Sequence, residues 1–350
     1  MVWGKFWLKV NLFIRFLEIC TYRINCVGLG EVENMGKNLY APKWVQAFFH
    51  SFSQVVLVQN MMSGALILAA FFVFSFEANN WNIVIVAIIA AIVGNVTAKI
   101  LRIDDDAIAA GLCGFNPVLV GLAAAIFFVE VDVYIIGILG SILVIPTAVI
   151  INGICSRFGV PGFTMPFITM TWFFMLVSFQ IDLLTAVGRE GALVYYASGA
   201  VNSATIGVLE FENVLIKGIG QIYFLDSIIA SLMILVAFAI DRWHLVFKIA
   251  AVTVVSVAIS VIFGADIALL NGGLFTYNVI LVLMGMETFS KNKDNIHNYV
   301  VLVFLGVVLV ALVDYALPSL LMPFALPRLT FPFVFVAWAL LYFEQHLSND

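Results

Sequence analysis

Two stretches of the chain decide its fold: VPGFTMPF at residues 160–167 and LPRLTFPF at residues 326–333. Each sets a threonine between two prolines and ends in phenylalanine, and the two threonines, Thr164 and Thr330, are 166 residues apart. Proline disfavours helix at the residue before it, so a helix is expected to begin near the second proline of each stretch, with the threonine in its first turn. We call these stretches the first and second Pro-Thr motifs.

Two further pairs of stretches repeat in the same order. GLCGFNPVLVG, from Gly111, is echoed by GLFTYNVILVL, from Gly273, and QVVLVQN, from Gln54, is echoed by QIYFLDS, from Gln221. Repetition at a nearly constant separation is the signature of internal duplication. The chain is therefore predicted to consist of two related halves.

The composition indicates a membrane protein. Hydrophobic residues make up 63% of the chain and charged residues 11%, whereas a soluble domain has about 45–50% and 25%. Several apolar runs approach the roughly 20 helical residues that cross a bilayer core. The predicted fold is an all-α polytopic membrane protein with ten transmembrane helices and two half-membrane helices, arranged as two inverted five-span repeats.

The repeats are predicted at residues 43–186 and 206–346, within one pore-forming domain at 43–346. The first begins with a short segment at 43–57, followed by spans at 61–76, 81–101, 107–128, 133–155 and 164–184; the second begins with a short segment at 206–224, followed by spans at 226–241, 244–263, 267–289, 299–315 and 330–343. Five spans is an odd number, so the second half must enter from the opposite side. Such inverted repeats usually place the substrate path at their interface.

Residues 1–42 are predicted to form an extension. Lys5, Lys9, Arg15 and Glu18 interrupt the apolar stretch at 3–20, which favours an interfacial amphipathic helix over a span, and 25–38 is predicted to be a linker. Thirteen of the 16 lysines and arginines fall on one predicted side. That bias predicts a multi-pass protein of the cell membrane with both termini in the cytoplasm.

Hydroxyl and amide groups, rather than charges, are repeated in the predicted spans. Thr164 and Thr330 could simply cap helices, but their duplication favours a functional role, and the same reasoning selects Gln54 and Gln221. Such a lining suits a small neutral polar solute, since an ion would be desolvated without a counter-charge. The net charge of −5 and the scattered basic residues indicate no nucleic-acid partner. The four cysteines show no metal-ligand spacing, and no cofactor or metal is expected.

The two Pro-Thr motifs, GLCGFNPVLVGLA and QVVLVQNMMSGALIL resemble the urea transporter family in its compact bacterial form, over about residues 43–345. The resemblance implies a homotrimer in the lipid bilayer, with one pore per protomer through which urea passes down its gradient. It implies that Thr164 and Thr330 are ladder hydroxyls facing each other across the pore centre, and that Gln54 and Gln221 bind urea near the mouths. It further implies an aromatic clamp residue and an apolar lining, formed by Phe224, Leu119, Leu281, Phe167 and Phe333.

Two residues depart from the family pattern at the predicted mouths. Leu57 stands where the first clamp aromatic is expected, and an apolar side chain there could still sandwich the solute. Lys217 lies one turn before Gln221, where the family often has an acceptor. It either faces the pore mouth or extends its ammonium to the membrane interface.

Two other functions stay open. An ion-coupled secondary transporter would need a titratable group at mid-membrane, for which Asp226, Asp266 and Asp314 are candidates, but all three are predicted near span ends. A channel for ammonia or a short amide would keep the mechanism, although the four histidines are not paired by the repeat. No arrangement of catalytic residues is found at spanning depth, so no enzyme is expected.

Overall fold

The computed structural model describes residues 41–181, 184, 210–291 and 295–347, and the regular elements in these ranges are helices. The predicted interfacial helix at 3–20 lies outside the described residues. The described part of the first half contains seven α-helices: α1 (Lys43–Ser53), α2 (Met61–Glu77), α3 (Asn82–Ile100), α4 (Asp105–Ala109), α5 (Phe115–Phe127), α6 (Asp132–Cys155) and α7 (Met165–Ser178).

The described part of the second half has the same order: α8 (Phe211–Gln221), α9 (Ile228–Arg242), α10 (His244–Ile262), α11 (Ile267–Asn271), α12 (Tyr277–Phe289), α13 (Ile296–Leu321) and α14 (Phe331–Leu347). The lengths also correspond, since α1 and α8 both have 11 residues, α4 and α11 both have 5, and α5 and α12 both have 13.

Among the described residues, four helical segments are long and apolar enough to cross a membrane: Asn82–Ile100, Asp132–Phe158, His244–Ile262 and Ile296–Phe324. A fifth could be formed by the Lys43–Val56 and Met61–Glu77 segments, which are bent by 78° at the break between them. The apolar helices α5, α7 and α12 are shorter. The chain is therefore a helical, multi-pass membrane protein, and four or five spans are recognisable by length and composition.

Two predicted spans are not continuous helices. The segment predicted at 107–128 is divided into α4 and α5, and the segment predicted at 267–289 is divided into α11 and α12. Asp104 and Asp266 cap the short helices by accepting hydrogen bonds from backbone nitrogens. The breaks follow at Gly111 and Gly273, whose φ values of 79° and 74° lie in the left-handed region.

A side chain at either glycine would collide with a half-length helix. A Cβ at Gly111 would lie 2.5 Å from the carbonyl carbon of His50 on α1, and one at Gly273 would lie 2.3 Å from the nitrogen of Gly218 on α8. The glycines thus allow α1 and α8 to pack directly onto the breaks, so both ends of the site described below are built in the same way.

Left-handed backbone also recurs at matching positions of the two halves. The pairs are Leu57 with Phe224, Arg102 with Gly264, Gly111 with Gly273, Gly159 with Ala325, and Phe163 with Leu329. Such conformations are strained for non-glycine residues and persist where surrounding structure enforces them. The two halves therefore share turn geometry as well as helix order, including at both Pro-Thr motifs.

Candidate functional site

The two Pro-Thr motifs meet in the interior. Thr164 Oγ1 and Thr330 Oγ1 are 2.7 Å apart and form a hydrogen bond, with both residues buried. Thr164 occupies the N-cap position of α7, but its hydroxyl makes no capping bond. The hydroxyls were predicted to face each other across a pore. Instead they touch, so no solute fits between these two atoms.

The left-handed residues before the threonines are held by asparagines on α5 and α12. Asn116 Nδ2 donates to the Phe163 carbonyl over 3.3 Å, and Asn116 Oδ1 accepts from the Phe167 nitrogen over 3.2 Å. In the second half, the Leu329 carbonyl accepts from Asn278 Nδ2 over 3.5 Å and from the Tyr277 hydroxyl over 2.6 Å. These bonds fix the backbone that presents each threonine.

Two tryptophans, which the sequence interpretation missed, join the motifs across the halves. Trp172 Nε1 donates to the Pro327 carbonyl over 2.9 Å, and Trp338 Nε1 donates to the Pro161 carbonyl over 2.7 Å. Each tryptophan follows the threonine of its own motif by eight residues, a repeated spacing that could have revealed the pair. Each motif is thus bound by the helix that begins at the other.

The two glutamines make matching contacts at the helix breaks. Gln54 Nε2 donates to the Ala110 carbonyl, and Gln221 Nε2 donates to the Gly272 carbonyl, both over 2.9 Å. Each bond joins the end of a half-length helix to the carbonyl just before a left-handed glycine. With the amide nitrogen engaged in this way, the amide oxygen is the acceptor that each glutamine can offer to an N–H group.

Phe224 and Phe163 each lie at the centre of an aromatic cluster that contains residues from both halves. Phe224 contacts the edges of Phe127 and Phe167, with ring centroids 6.1 and 6.3 Å apart. Phe163 contacts Phe289 and Phe333, with centroids 5.5 and 4.9 Å apart. Phe167 and Phe333 occupy equivalent positions in the two motifs, so the predicted residues Phe167, Phe224 and Phe333 all lie in these clusters.

The remaining apolar residues of the predicted lining are placed symmetrically. Leu119 and Leu281 are buried, each three residues after the asparagine that holds a motif and therefore on the same helix face. Leu57 is half-buried and left-handed, with a φ of 57°, and it matches Phe224, whose φ is 61°. A leucine thus takes the backbone conformation of its aromatic counterpart.

Lys217, for which two arrangements were predicted, is engaged by a carboxylate. Its ammonium forms an ion pair with Asp226 Oδ1 at 2.9 Å, which joins α8 to the chain just beyond Phe224. Asp226, a candidate coupling group, is therefore a partner of Lys217, and Asp266, a second candidate, caps α11. Both carboxylates have structural contacts in the described part of the chain.

Asp314 does not lie near the end of a span, contrary to the sequence prediction. The predicted span ended at Tyr315, but α13 continues to Leu321, and Asp314 is only 1% exposed. Its Oδ1 lies 3.4 Å from Arg328 Nη1 and accepts from Asn278 Nδ2. Arg328 is buried and lies 5.2 Å from the centroid of the Phe275 ring. A charged pair thus lies directly behind the second motif.

Comparisons with known proteins identify related sequences. Residues 45–345 match the family model described as urea transporter. Urea transporter 1 of Rattus norvegicus is 30% identical over 187 residues, which cover 50% of this chain and 45% of the relative. Urea transporter 1 of Capra hircus is 28% identical over 200 residues, covering 53% and 48%.

The chain spans about half the length of the curated relatives that it matches. The family model, by contrast, extends over most of the chain, from the beginning of α1 to the end of α14, and it includes both Pro-Thr motifs. The resemblance predicted from the sequence is therefore confirmed: the chain belongs to the urea transporter family.

Proposed function

We propose that the protein conducts urea, or a closely related small neutral amide, passively across the membrane. The path runs along the interface of two inverted repeats, from Gln54 at one mouth to Gln221 at the other. The Thr164–Thr330 pair lies between them. The observation that carries this proposal is that pair of buried, mutually bonded hydroxyls, held by reciprocal bonds between the halves.

The chemistry of the site suits urea. Urea has two NH₂ groups that need acceptors, and its flat faces lose water at little cost. The bonded threonines act as one rung, because a hydroxyl has two lone pairs and can still accept when it shares a bond with its neighbour. Leu57, Phe224, Leu119 and Leu281 contact the faces of the solute, while Gln54 and Gln221 offer amide oxygens. Weak binding at several positions permits rapid passage.

The assembly and orientation are part of the same proposal. The protein is a homotrimer of the cell membrane with one pore in each protomer, and both termini are cytoplasmic. Cross-linking followed by mass measurement of the purified protein would give the number of subunits. A stable monomer that conducts urea would contradict the trimer and leave the pore within one protomer intact.

The decisive test is urea flux through Thr164→Val/Thr330→Val. Valine keeps the shape of threonine and removes the hydroxyl, so the rung is lost with little change in packing. We expect flux, measured by light scattering of proteoliposomes, to fall about tenfold or more, because one lost hydrogen bond raises a barrier by roughly 1–1.5 kcal/mol and two are removed.

The matched control is Thr171→Val/Thr253→Val. Both threonines are buried, and their hydroxyl oxygens have no hydrogen-bond partner among the described residues. This variant makes the same chemical change at threonines that are not part of either motif and should retain flux. Wild-type flux in the folded Thr164/Thr330 variant would contradict the rung, and equal losses in both variants would show that the effect is structural.

An ion-coupled transporter is a second candidate because Asp314 is a buried carboxylate within a long helix. Its Oδ2 has no hydrogen-bond partner among the described residues. Buried intramembrane carboxylates often mark proton or ion pathways. Urea uptake into proteoliposomes with and without a proton or sodium gradient separates the two candidates. Accumulation against the urea gradient would refute the passive channel, whereas equilibration alone would refute coupling.

A further inference from the structure

The second half has a groove that no residue of the Pro-Thr motifs lines. It is a cavity of about 340 Å³ between α10, α12 and α13, with Lys248, Glu287 and Tyr299 at one end. Its remaining lining is apolar and includes Ala251, Leu283 and Phe304. Val300 and Phe304 on its rim are each 56% exposed, on a helix long enough to cross the membrane. We call this cavity the second-half groove.

An alignment of the two halves shows which residues produce the groove. In the first half, α3, α5 and α6 approach closely through small residues. A Cβ at Gly121 would lie 2.7 Å from Ala90 Cβ, and one at Gly137 would lie 2.5 Å from Val86 Cγ1.

The second half has larger side chains at all the corresponding positions: Leu283 for Gly121, Val252 for Ala90, Val303 for Gly137 and Lys248 for Val86. These four replacements all line the groove. Since interiors are close-packed, the added volume holds α10, α12 and α13 further apart than their counterparts can be. The groove is thus built by specific residues of the second half.

The polar end of the groove retains donors for a ligand. Lys248 Nζ bonds Glu287 Oε1 at 2.5 Å, and the Tyr299 hydroxyl donates to the same carboxylate oxygen. An ammonium has three donors, and this carboxylate contact uses one of them. The Lys248 side chain is 42% exposed, so its remaining donors can reach a group at the mouth of the groove.

We propose that the second-half groove binds an acyl chain of an anionic phospholipid, whose phosphate accepts a hydrogen bond from Lys248. The walls match hydrocarbon, and the exposed rim faces the part of the membrane where acyl chains lie. The Lys248–Glu287 pair has no net charge, but its ammonium is the exposed partner, with side chains 42% and 8% exposed, so the spare N–H donors of Lys248 face a phosphate at the mouth of the groove. An apolar cavity of roughly 150 Å³ accommodates benzene, so this one has room for about a dozen carbon atoms. The ammonium supplies the preference for an anionic headgroup.

The test is native mass spectrometry of the full-length protein with phosphatidylglycerol or phosphatidylcholine, counting the lipids retained per protomer. Ala251 is exposed on the rim, so Ala251→Trp covers the groove without enlarging a buried side chain. We expect the wild type to retain one phosphatidylglycerol per protomer, and Ala251→Trp to bind it about tenfold more weakly.

The matched control is Ala258→Trp, an exposed alanine on the same helix that does not line the groove. It should retain lipid as the wild type does. Ala251→Leu is a smaller change that fills part of the groove, so it tests the proposal should the tryptophan variant fail to fold, and it should bind the lipid more weakly. Lys248→Gln/Glu287→Gln removes both charges together and should bind the two lipids equally.

Three results would overturn the proposal. The wild type could retain no lipid, or Ala251→Trp and Ala251→Leu could retain as much as the wild type. Alternatively, Ala251→Trp could change the number of subunits while the lipid count stays constant, which would assign the groove to a second copy of the chain. None of these results depends on urea flux, so this proposal and the proposed function can fail separately.

Discussion

In the first half, the backbone N–H of Gly162 donates a hydrogen bond to Asn152 Oδ1 over 3.0 Å. In the second half, Arg328 stands at the position equivalent to Gly162, and Pro318 at the position equivalent to Asn152. Arg328 binds Asp314 instead, and the residue equivalent to Asp314 in the first half is Ala148. One motif is thus supported from behind by an amide and the other by a buried ion pair. Yet both motifs present a threonine after a left-handed residue.

The difference shows which contacts the site itself requires. Both halves contribute equally to the threonine pair, the tryptophan bonds and the glutamine bonds. The threonine pair and the tryptophan bonds join one half to the other, whereas each glutamine bond lies within one half. The Lys217–Asp226, Lys248–Glu287 and Arg328–Asp314 pairs occur in the second half and have uncharged residues at most of the matching positions of the first. The contacts that join the two halves are thus shared by both, whereas these three ion pairs belong to the second half.

The largest effect is expected from breaking the ion pair. Asp314→Ala leaves Arg328 buried without its carboxylate, which should destabilise the protein by about 3–5 kcal/mol. Arg328→Gly/Asp314→Ala installs the residues of the first half and should recover most of that loss. Thermal unfolding in detergent gives the order of stability. If Arg328→Gly/Asp314→Ala is no more stable than Asp314→Ala, the residues of the first half cannot replace the ion pair of the second.

A smaller effect is expected from a methyl group added where the first half is tightly packed. Gly121→Ala brings a Cβ within 3.0 Å of the Val86 carbonyl oxygen, an atom of the backbone that cannot rotate away. We expect a loss of about 1–3 kcal/mol in the free energy of unfolding.

The control for this packing is Gly153→Ala on α6, where nothing lies within 4 Å of the added Cβ. Its expected effect is neutral or a gain of up to about 1 kcal/mol, because alanine favours helix over glycine. If Gly121→Ala and Gly153→Ala unfold at the same temperature, the helices around Gly121 are not closely packed.

The smallest effect is expected at the mouths. Lys217→Met removes the ion pair with Asp226, whose side chain is 58% exposed, so stability should change by no more than about 1 kcal/mol. Its effect should appear in selectivity: with the ammonium gone and Asp226 unpaired, the mouth should admit cations such as guanidinium more readily relative to urea. If Lys217→Met and the wild type have the same ratio of urea flux to guanidinium flux, Lys217 plays no part in selectivity.

Because several stretches of the sequence repeat, much of this arrangement could be predicted from it. The order of elements could be inferred from repetition and apolar run length, and repetition also selected Thr164 and Thr330 as candidates. The family could be inferred from the resemblance of the repeated motifs. The breaks after α4 and α11 were missed because apolar residues continue through them, although Gly111 and Gly273 were visible in the repeated stretches.

Contacts between distant positions were harder to predict. Trp172 and Trp338 look like ordinary apolar residues of a span until their indole donors are seen on proline carbonyls of the other half. The prediction also ended a span at Tyr315 and so placed Asp314 near the membrane surface, whereas α13 carries it into the interior beside Arg328. A single sequence records neither the partner nor the depth of such residues.

The tryptophan bonds have a consequence for how such a chain could arise. Trp172 reaches Pro327 and Trp338 reaches Pro161, so each half gives and receives the same contact. This reciprocity is the contact pattern of a twofold-symmetric dimer. Two copies of a half-length polypeptide, arranged with that symmetry, would make the same bond twice, so a fusion of the two copies would keep contacts that the separate copies can already make.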